Sequence, residues 1–107
     1  MKKISQKNKY HVTAQVWIYP GKQAQWYFIT IPKKESSEIK KSYGHVARGW
    51  RSLPVCVTIG QTEWRTSVFP DSHSGSYLLP LKAAVRRAEA IESGDSVRCS
   101  LSILLDV

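Results

Sequence analysis

The sequence predicts a mainly β protein: a small closed barrel with one packed helix and one short surface helix. Several segments are short, rich in β-branched and aromatic residues, and bounded by turn residues such as Pro20, Gly21 and Gly60, which is typical of strands joined by hairpins. Two others have helical spacing or a polar composition that fits a surface helix. The predicted strands cover residues 10–18, 25–31, 55–59, 62–69 and 97–105, with a further short strand between Gly75 and Pro80, and the predicted helices lie near residues 33–43 and 81–92.

The segment from Gly75 to Ile103 supports this prediction most strongly, because a short strand, a helix, a turn and a long strand follow one another in it. Pro80 suits the first turn of a helix, where its missing N–H would have no partner. Gly94 is expected to end the helix in a left-handed conformation, and Arg86 and Glu89 are expected to form a charge pair. The apolar stripe of the predicted helix consists of Leu81, Ala84, Val85, Ala88 and Ile91.

The last predicted strand alternates strictly between apolar and polar residues. Val97, Leu101 and Ile103 fall on one face, which we expect to be buried. Arg98 and Ser100 fall on the other face, which we expect to be exposed. A period of two leaves one strand face for the core, so this segment belongs to a sheet with one solvated side.

The predicted helix, its Gly94-Asp95 turn and the strand after it resemble the closing half of the double-split, swapped-hairpin barrels of AbrB-type regulators and antitoxin DNA-binding domains. The run from Val55 to Leu101, which includes VCVTIGQTEWRTSVFP, is similar to a domain-of-unknown-function family of small bacterial proteins. Members occur alone or fused to a bacteriocin-protection-like domain of the YdeI/OmpD-associated type. The resemblance implies a closed double-split barrel and a bacterial origin, and it implies no particular activity.

The length of 107 residues fits one domain with one hydrophobic core over residues 1–107, and residues 1–8 are expected to be frayed. The start of the chain is polar and basic, without the apolar segment of a secretory signal, and no run reaches membrane-spanning length. Cys56 and Cys99 are therefore expected to be free thiols in a reducing compartment, with Cys99 in the core and Cys56 more exposed. These features predict a cytoplasmic protein.

The charge is distributed unevenly along the chain. Residues 1–51 hold eleven Lys and Arg against two Glu, whereas residues 52–107 hold five against six acidic residues. A basic half suggests nucleic-acid binding through phosphate neutralisation, and nearby aromatic residues could stack on bases. Lysines on a surface helix are more often simply solvated, so this is the second interpretation. Its candidate residues are Lys33, Lys34, Lys40 and Lys41.

Residue types that support catalysis are scattered along the sequence. His11, His45 and His73 have no neighbour at ligand spacing, and the two cysteines are more than forty residues apart. A zinc site needs about four N or S ligands. Ser74 and Ser76 flank a glycine without the strand, helix and lysine of a phosphate loop, so they indicate a turn. We expect no enzyme activity, no cofactor and no metal.

The remaining function class is binding. Arg65 lies on a predicted strand between Trp64 and Thr66, and Tyr77 and Arg86 follow in the same compact unit. If these three side chains converge at one end of the barrel, they could bind a small anionic ligand, because arginine recognises anions with two parallel hydrogen bonds. A structural pair of Arg65 with Glu63, or with a carboxylate on the helix, is the competing interpretation. The sequence thus predicts a non-enzymatic module, with a regulatory role as one option, that binds a small molecule or a protein; its oligomeric state stays open.

Overall fold

The protein is a closed antiparallel β-barrel with two helices on its outside. The computed structural model describes residues 9–21, 25–47 and 49–105. The expectation that residues 1–8 are frayed lies outside the described residues. Around the barrel the strands are ordered β1-β2-β5-β4-β3-β6. In chain order, the elements are β1 (Lys9–Tyr19), β2 (Trp26–Thr30), α1 (Lys33–Tyr43), β3 (Leu53–Ile59), β4 (Thr62–Asp71), β5 (Ser76–Pro80), α2 (Ala83–Ala88) and β6 (Ser96–Ile103).

The predicted fold class is confirmed, and the β3–β4 hairpin shows how the local sequence produces it. Gly60 and Gln61 form the turn, and Ile59 pairs with Thr62 across it. Gly60 has a φ of 58°, which glycine adopts at little cost. A Cβ at this position would also meet the carboxylate of Glu89. The turn is therefore specific for glycine on two grounds.

The barrel interior is filled by the inward faces of all the strands, as the alternating pattern predicts. On β6, Val97, Leu101 and Ile103 are buried and Arg98 is exposed. Ser100, expected to be exposed, is half-buried; this short side chain lies between its cross-strand partners His11 on β1 and Thr58 on β3. The core consists mainly of Val12, Val16, Ile29, Ile31, Leu53, Val55, Val57, Val68, Leu79, Leu101 and Ile103.

Helix α1 has the predicted bounds, and a buried serine fixes it to the barrel. Ser36 is only 2% exposed. Its hydroxyl donates to the backbone oxygen of Ile31 at 3.0 Å and accepts from the backbone N–H of Tyr77 at 3.0 Å. Ile39 and Tyr43 are buried on the same helix. One side of this otherwise polar helix is thus anchored against the start of β5.

Helix α2 is shorter than the sequence predicts, and Pro80 belongs to the preceding strand. Pro80 pairs with Phe28 at the end of β5, and the helix begins only at Ala83. Proline is tolerated in this strand because the pairing of β5 with β4 does not extend beyond Leu78. The N–H that Pro80 lacks would therefore have had no partner on β4. Of the predicted apolar stripe, Leu81, Val85 and Ile91 are buried, whereas Ala84 and Ala88 are exposed.

The end of α2 also differs from the prediction. The helix stops at Ala88, and Ala90 takes a left-handed conformation with a φ of 54°. Gly94 has a φ of 93°, but it lies in the following turn and donates its N–H to the oxygen of Val16 on β1. Glu89 accepts a hydrogen bond from Thr62 instead of pairing with Arg86. The turn after α2 is therefore held by the helix, through the N–H of Ile91 on the oxygen of Arg86 at 2.9 Å, and also by contacts with the barrel.

No helix in residues 9–21, 25–47 or 49–105 combines the length and apolarity that crossing a membrane requires.

Candidate functional site

A basic depression lies beside the C-terminal part of α1, between that helix and the turn that joins β4 to β5. Its volume is about 840 Å³. Lys40 and Lys41 contribute from α1, and Arg51 contributes from the segment before β3. The lining also includes Gly44, His45, Ala47, Pro70, Asp71, Ser72, Gly75, Ser76 and Tyr77. Two lysines and one arginine therefore line one concave surface.

The backbone around Arg51 has an unusual conformation. Trp50 and Arg51 both have positive φ values, 61° and 58°. A non-glycine residue in this region costs of the order of 1–3 kcal/mol, and such residues concentrate at functional sites. The turn is closed by Ser52, whose N–H and hydroxyl both donate to the oxygen of Gly49, at 3.1 and 2.8 Å. Arg51 is thus held at the depression by a strained and hydrogen-bonded turn.

The carboxylate of Asp71, which lines the depression, accepts hydrogen bonds within its own turn. Asp71 accepts from the hydroxyl of Ser74 at 2.8 Å and from its N–H at 3.2 Å. The Ser74 side chain, followed by backbone donors of Ser74 and His73, holds the pKa of Asp71 below its usual value. Among the described residues, Asp71 forms no ion pair with the cations of the depression. The site therefore has a cationic excess.

Tyr77 forms part of the inner wall of the depression. It is buried, and burial raises the pKa of its hydroxyl, while the nearby charge of Arg51 acts in the opposite direction. Its backbone N–H and oxygen are held by Ser36 and Ile31. A protonated phenol beside three cations can donate a hydrogen bond to an anion.

The predicted group of Arg65, Tyr77 and Arg86 is brought together only in part. Arg65 and Arg86 line a common depression of about 260 Å³, and Tyr77 is not among its lining residues. Tyr77 instead lines the basic depression together with Lys40, Lys41 and Arg51. Closeness along the sequence does not determine which depression a strand residue lines.

The two arginines have different surroundings. The guanidinium carbon of Arg86 lies 3.6 Å from the ring centroid of Tyr27, and its Nε donates to the oxygen of Leu81 at 3.1 Å. Arg65 is exposed. Within the described part of the chain it forms no ion pair with Glu63, whose carboxylate accepts from the thiol of Cys56 at 3.5 Å. Arg86 is thus fixed by packing, and Arg65 faces solvent.

The four lysines of the second interpretation are all exposed, but they do not share one surface. Lys40 and Lys41 line the basic depression. Lys33 lies at its edge, since its Nζ is 3.9 Å from the position that a Cβ on Gly75 would occupy. Lys34 does not line the depression. Lys40 and Lys41 therefore line the same depression as Tyr77, which the sequence grouped with Arg65 and Arg86 instead.

The two thiols differ as the strand pattern predicts. Cys99 is buried, and burial raises its pKa to about 11. Cys56 is half-buried, and burial together with the Glu63 carboxylate raises its pKa as well. Neither environment favours a reactive thiolate. Within residues 9–21, 25–47 and 49–105, no three His, Cys, Asp or Glu side chains are grouped as a metal site.

Sequence reasoning missed Arg51, which lines the site, and Ser36, which anchors the adjoining helix α1. Arg51 gave no signal, because a positive φ at Trp50 and Arg51 is not encoded by glycine or asparagine. Ser36 is a small polar residue in a polar helix, and only its spacing of three from Ile39 places it on the buried side. The clue in the sequence was that Ser36 shares one side of the helix with Ile39 and Tyr43, both of which are buried.

The fold and the site define a closed antiparallel barrel with a basic depression beside one helix. The chain belongs to the DUF1905 family, a domain of unknown function, whose model matches residues 13–101. No curated protein matches the sequence. Membership confirms the expected domain-of-unknown-function family. The expected likeness to AbrB-type barrels, the fusion to a bacteriocin-protection-like domain and the bacterial origin stay predictions.

Proposed function

We propose that this domain is a cytoplasmic, non-enzymatic module that binds a small anionic ligand in the basic depression. The observation that carries the proposal is that Lys40, Lys41 and Arg51 line one concavity. Its only lining carboxylate within the described residues is Asp71, which accepts a hydrogen bond from the hydroxyl of Ser74. Cations that face each other without carboxylate partners repel, and an anion relieves that repulsion.

The shape of the depression supports a small ligand rather than an extended surface contact. A volume of about 840 Å³ falls in the range of ligand sites, which is about 300–1,000 Å³. Arg51 can form two parallel hydrogen bonds with a carboxylate or phosphate, and the lysines act as point charges. Tyr77 adds a neutral donor in the wall. This set fits a ligand with phosphate or carboxylate groups.

Calorimetric titration with inorganic pyrophosphate at low salt tests the proposal. The wild-type protein should bind, and the double variant Lys40→Gln/Lys41→Gln and the single variant Arg51→Gln should each weaken binding about ten- to hundredfold, because each loses charge-assisted hydrogen bonds. The matched control is Lys34→Gln/Arg98→Gln, which removes two exposed cations that do not line the depression.

Absence of binding at low salt would refute the proposal, as would equal weakening in the control variant. A titration with citrate in the same buffer separates carboxylate from phosphate preference. Circular dichroism melts of each variant check that the barrel is intact, since all of the substituted side chains are exposed.

The second candidate function is nucleic-acid binding through Lys33, Lys34, Lys40 and Lys41. Its support is that these side chains are exposed on one helix of a chain with a net charge of +8. Loss of DNA or RNA affinity in a variant with all four lysines changed to Gln would favour it. Unchanged nucleic-acid affinity in that variant would exclude these residues.

A further inference from the structure

A second surface of the barrel combines exposed aromatic rings with cationic side chains. It is formed by the outward faces of β2, β5 and β4. In the cross-strand register, Phe28 is opposite Pro80, and Leu78 is opposite Phe69. Trp26 begins β2 and is 58% exposed, and Phe69 is 38% exposed. We call this surface the aromatic face, defined by Trp26, Phe28, Phe69, Leu78 and Pro80.

The aromatic face contains a concavity that joins a basic one. The first, of about 670 Å³, is lined by the five residues of the face together with Arg65, Thr66 and Ser67. The second is the depression of about 260 Å³ that holds Arg65, Lys82 and Arg86. The two share Trp26, Arg65, Thr66 and Pro80, so rings and cations border a continuous path.

One ring of this face, Phe28, and the neighbouring Arg86 are held in place by packing contacts. Phe28 packs against Trp17 with ring centroids 5.2 Å apart, and the Trp17 indole donates to the hydroxyl of Thr30 at 2.9 Å. Arg86 is fixed over Tyr27. Side chains held in this way lose little freedom when a ligand binds beside them.

We propose that the aromatic face binds single-stranded nucleic acid, with bases stacking on Trp26, Phe28 and Phe69 and phosphates near Arg65, Lys82 and Arg86. Charge selects this occupant. The residues that line the two concavities include three cations and no Asp or Glu. A second copy of the chain would bring like charges together, whereas a strand of nucleotides supplies both planar rings and negative charge.

The experiment measures the fluorescence anisotropy of labelled oligothymidylate and oligouridylate of about a dozen nucleotides, a length that such grooves accommodate. Wild-type protein should bind both, and a duplex of equal length should bind more weakly because its bases cannot stack on side chains. With three cations on the path, affinity should fall about ten- to twentyfold between about 50 and 200 mM NaCl.

Variants of Trp26 separate stacking from general apolar contact. Trp26→Leu should weaken binding at least about fivefold, whereas Trp26→Phe should retain most of it. Arg65→Gln/Lys82→Gln should flatten the salt dependence, and Arg87→Gln/Arg98→Gln, which removes two exposed cations from outside both concavities, should not. All these positions are exposed, and melts check folding.

Four results would overturn the proposal. The first is that the wild-type protein does not bind the oligonucleotides at low salt, and the second is that Trp26→Leu binds them as tightly as wild type. The third is that wild type binds the duplex as tightly as the single strand. The fourth is that binding is lost in Lys40→Gln/Lys41→Gln rather than in the variants of the aromatic face. A dimer in sedimentation analysis that Trp26→Leu dissociates would assign the face to a second copy and overturn it as well.

Discussion

The basic depression and the aromatic face are two surfaces of one barrel, and they differ in the side chains that surround their cations. In the depression, Lys40, Lys41 and Arg51 surround a concavity whose phenol, Tyr77, is buried in its wall. On the aromatic face, Arg65 borders exposed rings such as Trp26. Charge gathered in a concavity suits a compact anion, whereas charge beside exposed rings suits a planar, extended one.

The difference shows that a positive net charge does not by itself indicate a partner. The excess of cations in residues 1–51 suggested one phosphate-binding surface. The structure places Lys40, Lys41 and Arg51 from that half in the basic depression, whereas the cations beside the exposed rings of the aromatic face come from residues 52–107. Ligand class follows from what surrounds each cation.

The largest expected effect comes from the core that both surfaces share. Leu101 is fully buried on β6, so Leu101→Ala should lower the free energy of unfolding by about 2–5 kcal/mol. Both ligands should then lose affinity together as the folded fraction falls. Chemical denaturation measures the change, with Leu104→Ala, at an exposed position, as the control. Loss of only one ligand would mean that the surfaces do not depend on a common barrel.

Alkaline pH should destabilise the shared core through Cys99. Its pKa is raised from 9.0 to about 11 in the folded protein. Below pH 9 both states keep the proton; as the pH rises from 9 to 11 the unfolded chain loses it first, so the unfolded state is favoured. The loss should reach about 2–3 kcal/mol. Cys99→Val should remove this part of the pH dependence, and an unchanged profile in that variant would contradict the assignment.

Ser36 should distinguish the two surfaces. Ser36→Ala leaves the N–H of Tyr77 and one acceptor position of Ile31 without their partner, which should cost about 1–3 kcal/mol of stability. Because Ser36 anchors α1 next to Tyr77, pyrophosphate binding should weaken while oligonucleotide binding stays unchanged. Ser37→Ala, at an exposed neighbour, is the control. Equal weakening of both ligands would show that the surfaces are coupled.

Gly60 should affect stability without affecting either surface. Gly60→Ala places a side chain at a φ of 58° and against Glu89, which should cost about 1–2 kcal/mol. Gly60 does not line the basic depression, the concavity of the aromatic face or the smaller depression that adjoins it. The affinities for both ligands, measured on the folded protein, should therefore not change. Gly49→Ala is the control, since a Cβ there meets nothing within 4 Å.

The sequence predicted the barrel well because its strands carry clear local patterns. Leu101 and Arg98 lie on the faces that a period of two assigns them, and α1 has the predicted bounds. Pro80 was misplaced, since the preference of proline for a first helical turn is local, whereas the end of the β5 pairing with β4 is a tertiary fact. The depression could not be predicted for the same reason: it unites α1, the Arg51 turn and β5.

The most direct test of the separation between the two surfaces is a map of amide chemical shifts in the folded protein, titrated with inorganic pyrophosphate and then with oligothymidylate. Pyrophosphate should shift amides around Lys40, Lys41 and the 71–77 turn, and the oligonucleotide should shift those around Trp26, Phe28 and Phe69. Each ligand should leave the other set in place, and both should bind together. One shared set of shifted amides, or displacement of one ligand by the other, would contradict two separate sites.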